Sequence, residues 1–241
     1  MIDILKKTFS TLKLDPFLYI PYIMYSLVNA IILRQFFSQQ ATLNISDLLY
    51  VLLHNTFQSC IGITVILMLK HLSKTSISYA SVKKAWQHHL KSYIYVSMIV
   101  NLPLIAIQYI GLISMSSKNE PNTILTLLLI PVLGYLIIPL SAWTYNAIIQ
   151  YTLHETPLKQ TLKDNFTHFR KSARWFLMMI TLNLPQLFVL PLYTSSWILK
   201  DTLIAVIQGI VLTLVMTSSY HFYTITQKNI PATEEPSQLI Q

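Results

Sequence analysis

The chain has 241 residues, of which 53% are hydrophobic and 11% charged. A water-facing domain of this size carries about a quarter charged residues, so this composition excludes an ordinary soluble surface and points to lipid. Seventeen Lys and Arg against nine Asp and Glu leave a net charge of +8. No basic cluster alternates with aromatics as in a nucleic-acid groove, so nucleic acid is not an expected partner.

The chain opens on a basic amphipathic stretch. Ile2, Leu5, Phe9 and Leu12 recur at helical spacing, with Lys6, Lys7 and Lys13 largely off that stripe. Six apolar runs follow, each near the length of about 18 residues or more that a bilayer core requires. They cover residues 16–33, 48–69, 93–115, 124–150, 175–197 and 202–226, with no Asp, Glu, Lys or Arg in their interiors. The first run has no small-residue cleavage site after it and reads as an uncleaved anchor. Prolines inside the runs (Pro21, Pro103, Pro131, Pro139, Pro185 and Pro191) predict kinks, since membrane helices tolerate them where neighbours satisfy the freed carbonyls.

Basic residues sort the six spans by side. Counting along the chain, fourteen Lys and Arg fall on one side, against Arg34, Lys118 and Lys200 on the other. The positive-inside rule then places both termini in the cytoplasm. Residues 229–241, with Glu234, Glu235 and Pro236, read as a short disordered tail.

A second basic amphipathic stretch precedes the third span, with Val82, Ala85, Trp86 and Leu90 on its stripe and Lys83, Lys84, Gln87 and Lys91 beside it. A third precedes the fifth span: Leu158, Leu162, Phe166 and Phe169, opposite Lys163, Asp164, Arg170 and Lys171. Phe9, Trp86 and Phe166 are 77 and 80 residues apart, and Asn-Leu-Pro recurs at Asn101–Pro103 and Asn183–Pro185. Gly62, Gly134 and Gly209 each fall in the second span of a unit. The expected fold is therefore all-α. It is a six-helix transmembrane bundle with three cytoplasmic-side interfacial helices and a threefold parallel repeat, in units 1–70, 77–150 and 157–228.

The spans carry amides and histidines but no carboxylates, which disfavours ion coupling. Their most polar patch is His54, Asn55 and Gln58, at helical i, i+3 and i, i+4 spacing, with Asn101 and Asn183 as polar positions in other spans. This group fits a cavity lining or lipid-headgroup site, but amides spread over every span fit interhelical hydrogen bonding better, with Asn29, Asn146, Gln186 and Gln208 as further partners. Adjacent His88 and His89 point about 100° apart on a helix and have no carboxylate or cysteine at ligand spacing, so no metal site is expected. Cys60 is the single cysteine and reads as a small packed residue. No nucleophile elbow, phosphate-binding glycine loop or paired carboxylates appear, so neither an enzyme nor a cofactor is expected.

The basic helices fit an anionic leaflet, with Lys6, Lys7, Phe9, Lys83, Lys84, Trp86, Phe166, Arg170 and Lys171 as candidate interfacial anchors. They serve as anchors alone, or also gather anionic lipid or a cytoplasmic protein partner.

From Ile130, Pro131 and Pro139 through Leu158, Lys159, Gln160, Thr161 and Leu162, and on through 166–172 and two more spans, the pattern resembles a known group. This is a poorly characterised six-pass bacterial inner-membrane family, similar to the membrane domain attached to some glycerophosphodiester phosphodiesterases. Pro131 and Gly134 stand apart where relatives often have a Pro-Gly dipeptide. The resemblance implies an inner-membrane location and no known activity, and no phosphodiesterase domain accompanies it here. The leading functional expectation is a non-enzymatic accessory or scaffold in envelope or lipid homeostasis. The alternative is a carrier of a lipid or amphipathic molecule.

Overall fold

The computed structural model describes residues 2–37, 45–72, 77–116, 140–171 and 198–228. These residues are helical apart from short connections, with one isolated bridge between Leu72 and Ile77. In chain order the helices are α1 (Ile2–Leu14), α2 (Ile20–Phe37), α3 (Ile45–Lys70), α4 (Tyr79–Ser116), α5 (140–154), α6 (Leu158–Lys171) and α7 (Ile198–Lys228). Among the described residues, three stretches are long and apolar enough to cross a membrane: Leu48–Lys70, Tyr79–Tyr109 and Thr202–Ile225. Pro16–Ile32 is a shorter apolar helical stretch. The predicted fifth span, most of the fourth, and the tail lie outside the described residues.

The break between α1 and α2 is local chemistry. Asp15 adopts an extended conformation, as a residue before proline prefers, and its carboxylate accepts the Phe17 amide at 3.0 Å. A 3₁₀ turn, Pro16–Tyr19, follows and leads directly into α2. Pro21 consequently sits in the first turn of α2, where a missing N–H costs little, so it starts the helix and does not kink its middle.

No such signal separates the second basic stretch from its span. Lys91, Ser92 and Tyr93 contain no proline, glycine or cap, and α4 runs through them as one helix of 38 residues. This revises the expectation of three separate interfacial helices: residues 79–92 extend a spanning helix. Pro103 lies inside α4, which continues past it.

α3 packs along α4 and α2 along α7, with α1 laid against the C-terminal part of α7. The core joins Tyr22, Ile63, Ile66, Leu67, Tyr93, Val96, Ile148 and Met216, all essentially fully buried. Two glycines permit the close approaches. A Cβ on Gly209 would stand 2.5 Å from the Ile23 Cα, and one on Gly62 would stand 2.6 Å from the Met216 methyl. The outward faces are apolar too. Ile20, Met24, Val28 and Ile31 form an exposed stripe on α2, continued by Phe17 in the 3₁₀ turn, and Leu49, Leu53 and Phe57 form one on α3. Such a surface suits hydrocarbon and not water.

Candidate functional site

Two polar seams cross the apolar bundle, both centred on α3. Successive residues on a helix turn about 100°, so His54 and Asn55 cannot face the same neighbour. His54 and Gln58 turn toward α2 and α5, whereas Asn55 and Ser59 turn toward α4. The patch that looked like one face divides between two interfaces.

On the first seam, His54 Nδ1 lies 2.8 Å from the Tyr25 hydroxyl and 3.0 Å from Asn29 Oδ1. Tyr50 also donates to Asn29 Oδ1, at 3.0 Å. An oxygen accepting from both assigns the imidazole proton to Nδ1. Gln58 donates through Nε2 to the Tyr145 hydroxyl at 3.1 Å, and its Oε1 accepts from Tyr25 at 3.5 Å. Tyr50, His54 and Gln58 are spaced i, i+4, i+8, as are Tyr25 and Asn29 at i, i+4 on α2. That tyrosine spacing was a readable signal for the partners, which amide counting alone did not single out.

On the second seam, Asn55 Nδ2 donates to the Gln108 side-chain oxygen at 2.6 Å and to the Val51 carbonyl at 2.8 Å. Asn101 Nδ2 donates to Ser59 Oγ at 2.7 Å and to the Ser97 carbonyl at 2.6 Å. Cys60 packs beside it, with its thiol 3.7 Å from Ser97 Oγ. Asn55 and Asn101 are buried, and their amides are used in holding helices together. Asn183 lies outside the described residues.

The basic end of the bundle carries a third cluster. The chain leaves α5 at Glu155, whose positive φ of 53° turns it out of the helix. Its carboxylate lies 4.0 Å from Lys70 Nζ, at the end of α3, and 3.7 Å from His89 Nε2, on α4. Lys70 also donates to the Thr152 carbonyl at 3.4 Å. One residue thus links the ends of α3 and α5 to the body of α4, and no pattern of spacing in the sequence marks it.

At the same end, α1 docks on α7 through hydroxyls. Thr8 Oγ1 lies 3.2 Å from Ser218 Oγ, and Thr11 Oγ1 lies 2.9 Å from His221 Nε2. The face of α1 against α7 is therefore Ile4, Thr8, Thr11 and Leu12, whereas Ile2 and Phe9 point outward. Lys6, Lys7, Lys83 and Lys84 are exposed. Trp86 is half-buried, and its indole N–H donates to Thr64 Oγ1 on α3 at 3.1 Å, so it anchors one helix to another. The side chains of Phe166, Arg170 and Lys171 lie outside the described residues.

The His54 ring meets the Tyr25 hydroxyl and the Asn29 amide oxygen, and Tyr50 stacks against it with ring centroids 5.7 Å apart. Among the described residues, no group of three or more His, Cys, Asp or Glu is placed to hold a metal ion. Comparison with protein-family models, curated proteins and solved structures finds no match to this chain.

Proposed function

We propose that this protein is a non-enzymatic, six-span bacterial inner-membrane scaffold acting in envelope or lipid homeostasis. The observation that carries the reading is the pairing of the membrane amides. Asn29, Asn55, Gln58 and Asn101 each bond across helices, which favours a packed bundle over an open conduit.

The six-span count is supported by the apolar length of α3, α4 and α7, the apolar Pro16–Ile32 and the helical end of the fourth run at 140–154. Cytoplasmic termini are supported by the gathering of Lys7, Lys70, His89, Glu155 and His221 at one end, where the positive-inside rule puts the cytoplasm. Exposed Lys6, Lys7, Lys83 and Lys84 there suit an anionic leaflet. The threefold repeat draws support from α1 and α6, short amphipathic helices in corresponding places; the fusion within α4 departs from it. The resemblance over 129–228 supplies the inner-membrane placement.

Reconstitution into vesicles containing a headgroup-labelled fluorescent phospholipid tests the reading. A scaffold leaves the rate of lipid crossing, followed by dithionite quenching, equal to that of empty vesicles. Faster crossing that disappears on joint His54→Ala and Gln58→Ala substitution would replace the scaffold by a carrier working through the first seam.

A further inference from the structure

Where α1 crosses the basic ends of α3 and α7 there is a cavity of about 480 Å³. Lys7 and Thr11 line it from α1, and Tyr220, His221 and Thr224 from α7. We infer that this cavity holds the phosphate headgroup of an anionic phospholipid from the leaflet at the basic end. The inference rests on the membrane placement proposed above and names a site within it.

The lining has the chemistry of a phosphate acceptor. Lys7 brings a cation and the Tyr220 phenol a neutral donor, while the Thr11 and Thr224 hydroxyls are engaged with His221, and no Asp or Glu stands in the wall. His221 is 5% exposed, is held at Nε2 by Thr11, and has no hydrogen-bond partner at Nδ1. A buried ring nitrogen with unused bonding capacity is costly unless something completes it.

Lipid is favoured over free phosphate by the rest of the wall. Leu69, Leu72 and Ile225 give it an apolar side. The volume lies in the range of small-molecule sites, about 300–1,000 Å³, well beyond what one phosphate ion needs. The cavity also sits where the apolar stretch Thr202–Ile225 ends, which is headgroup depth for a spanning helix. Ile2 and Phe9, exposed on α1, supply apolar contacts nearby for the same leaflet.

The test is native mass spectrometry of the full chain in detergent, titrated separately with phosphatidylglycerol, phosphatidylcholine and inorganic phosphate. Phosphatidylglycerol should be retained over phosphatidylcholine. Lys7→Gln should weaken its retention by about fivefold or more, the effect of one lysine near an anionic surface. Lys7→Arg should restore it, and Lys159→Gln, at an exposed position of α6, should leave it unchanged. Lys7 is exposed, so its substitution leaves packing intact; His221→Gln, checked for helicity, gives a second probe and should also reduce retention. Inorganic phosphate that displaces the lipid at equal concentration would overturn the lipid assignment. Retention that falls only in Lys159→Gln would overturn the cavity as the site and leave the scaffold standing. A protein that stays monodisperse without detergent and retains neither lipid would overturn both.

Discussion

Asn101, on α4, donates its side-chain amide to the hydroxyl of Ser59, on α3, across 2.7 Å of an otherwise apolar interface. Both residues are buried, and the same amide group reaches the Ser97 carbonyl one turn back on its own helix. Hydrogen bonds between membrane helices are worth about 0.6 kcal/mol on average and up to about 1.7, because the separated helices find other partners. A double-mutant cycle of Asn101→Ala and Ser59→Ala, read by denaturation in detergent micelles, should give a coupling of about 0.5–1 kcal/mol. Strict additivity would show that the contact contributes nothing to holding α3 on α4.

The helical architecture of the described residues was legible because hydrocarbon admits only helices or closed barrels, and apolar runs of about 18 residues or more are too long for barrel strands. The end of α1 was also written locally, in Asp15 and Pro16. What composition could not show was continuity: between Lys84 and Tyr93 nothing stops a helix, and amphipathicity alone does not bend one. The polar candidates were readable as residues but not as pairs. His54 and Asn55 are adjacent in sequence and serve different interfaces, because 100° of helical rotation separates them. Glu155 was hidden altogether, since its role depends on where three helices distant in sequence meet.

Gly209 and Gly62 make different demands. A methyl on Gly209 would meet the backbone of Ile23 at 2.5 and 2.7 Å, and a backbone cannot step aside. A methyl on Gly62 would meet the Met216 methyl at 2.6 Å and the Tyr22 hydroxyl at 3.0 Å, and the methionine end can rotate away. Gly209→Ala should therefore destabilise the bundle by about 1–3 kcal/mol, and Gly62→Ala by clearly less. Thermal unfolding of the two variants side by side checks the order; equal losses would mean that α2 and α7 do not touch at Gly209.

Glu155 combines an unusual backbone with modest electrostatics. At φ 53° a side chain with a branched Cβ is strained, whereas asparagine accepts the left-handed region readily. Its ion pairs are long and its side chain is 49% exposed, so they contribute well under 1 kcal/mol. Glu155→Asn should then remain close to wild type in stability, while Glu155→Val should lose about 1–2 kcal/mol more. The reverse order would make the Lys70 and His89 contacts, and not the turn, the reason for a glutamate there.

The continuity of α4 sharpens the test of orientation. Lys83 and Ser116 lie on one uninterrupted helix, 33 residues apart, so about 50 Å of rise separates them. A hydrocarbon core of about 30 Å fits between them, with both ends in water or headgroups. Single cysteines at Lys83 and Ser116, in a Cys60→Ser background, should label with impermeant maleimide from opposite faces of sealed membranes. On the proposed orientation, with Lys83, Lys84 and Lys91 on the basic side, Lys83 should react only after permeabilisation of intact cells. Labelling of both from the same face would show that α4 lies along the membrane surface, and the span count built on it would fall with it.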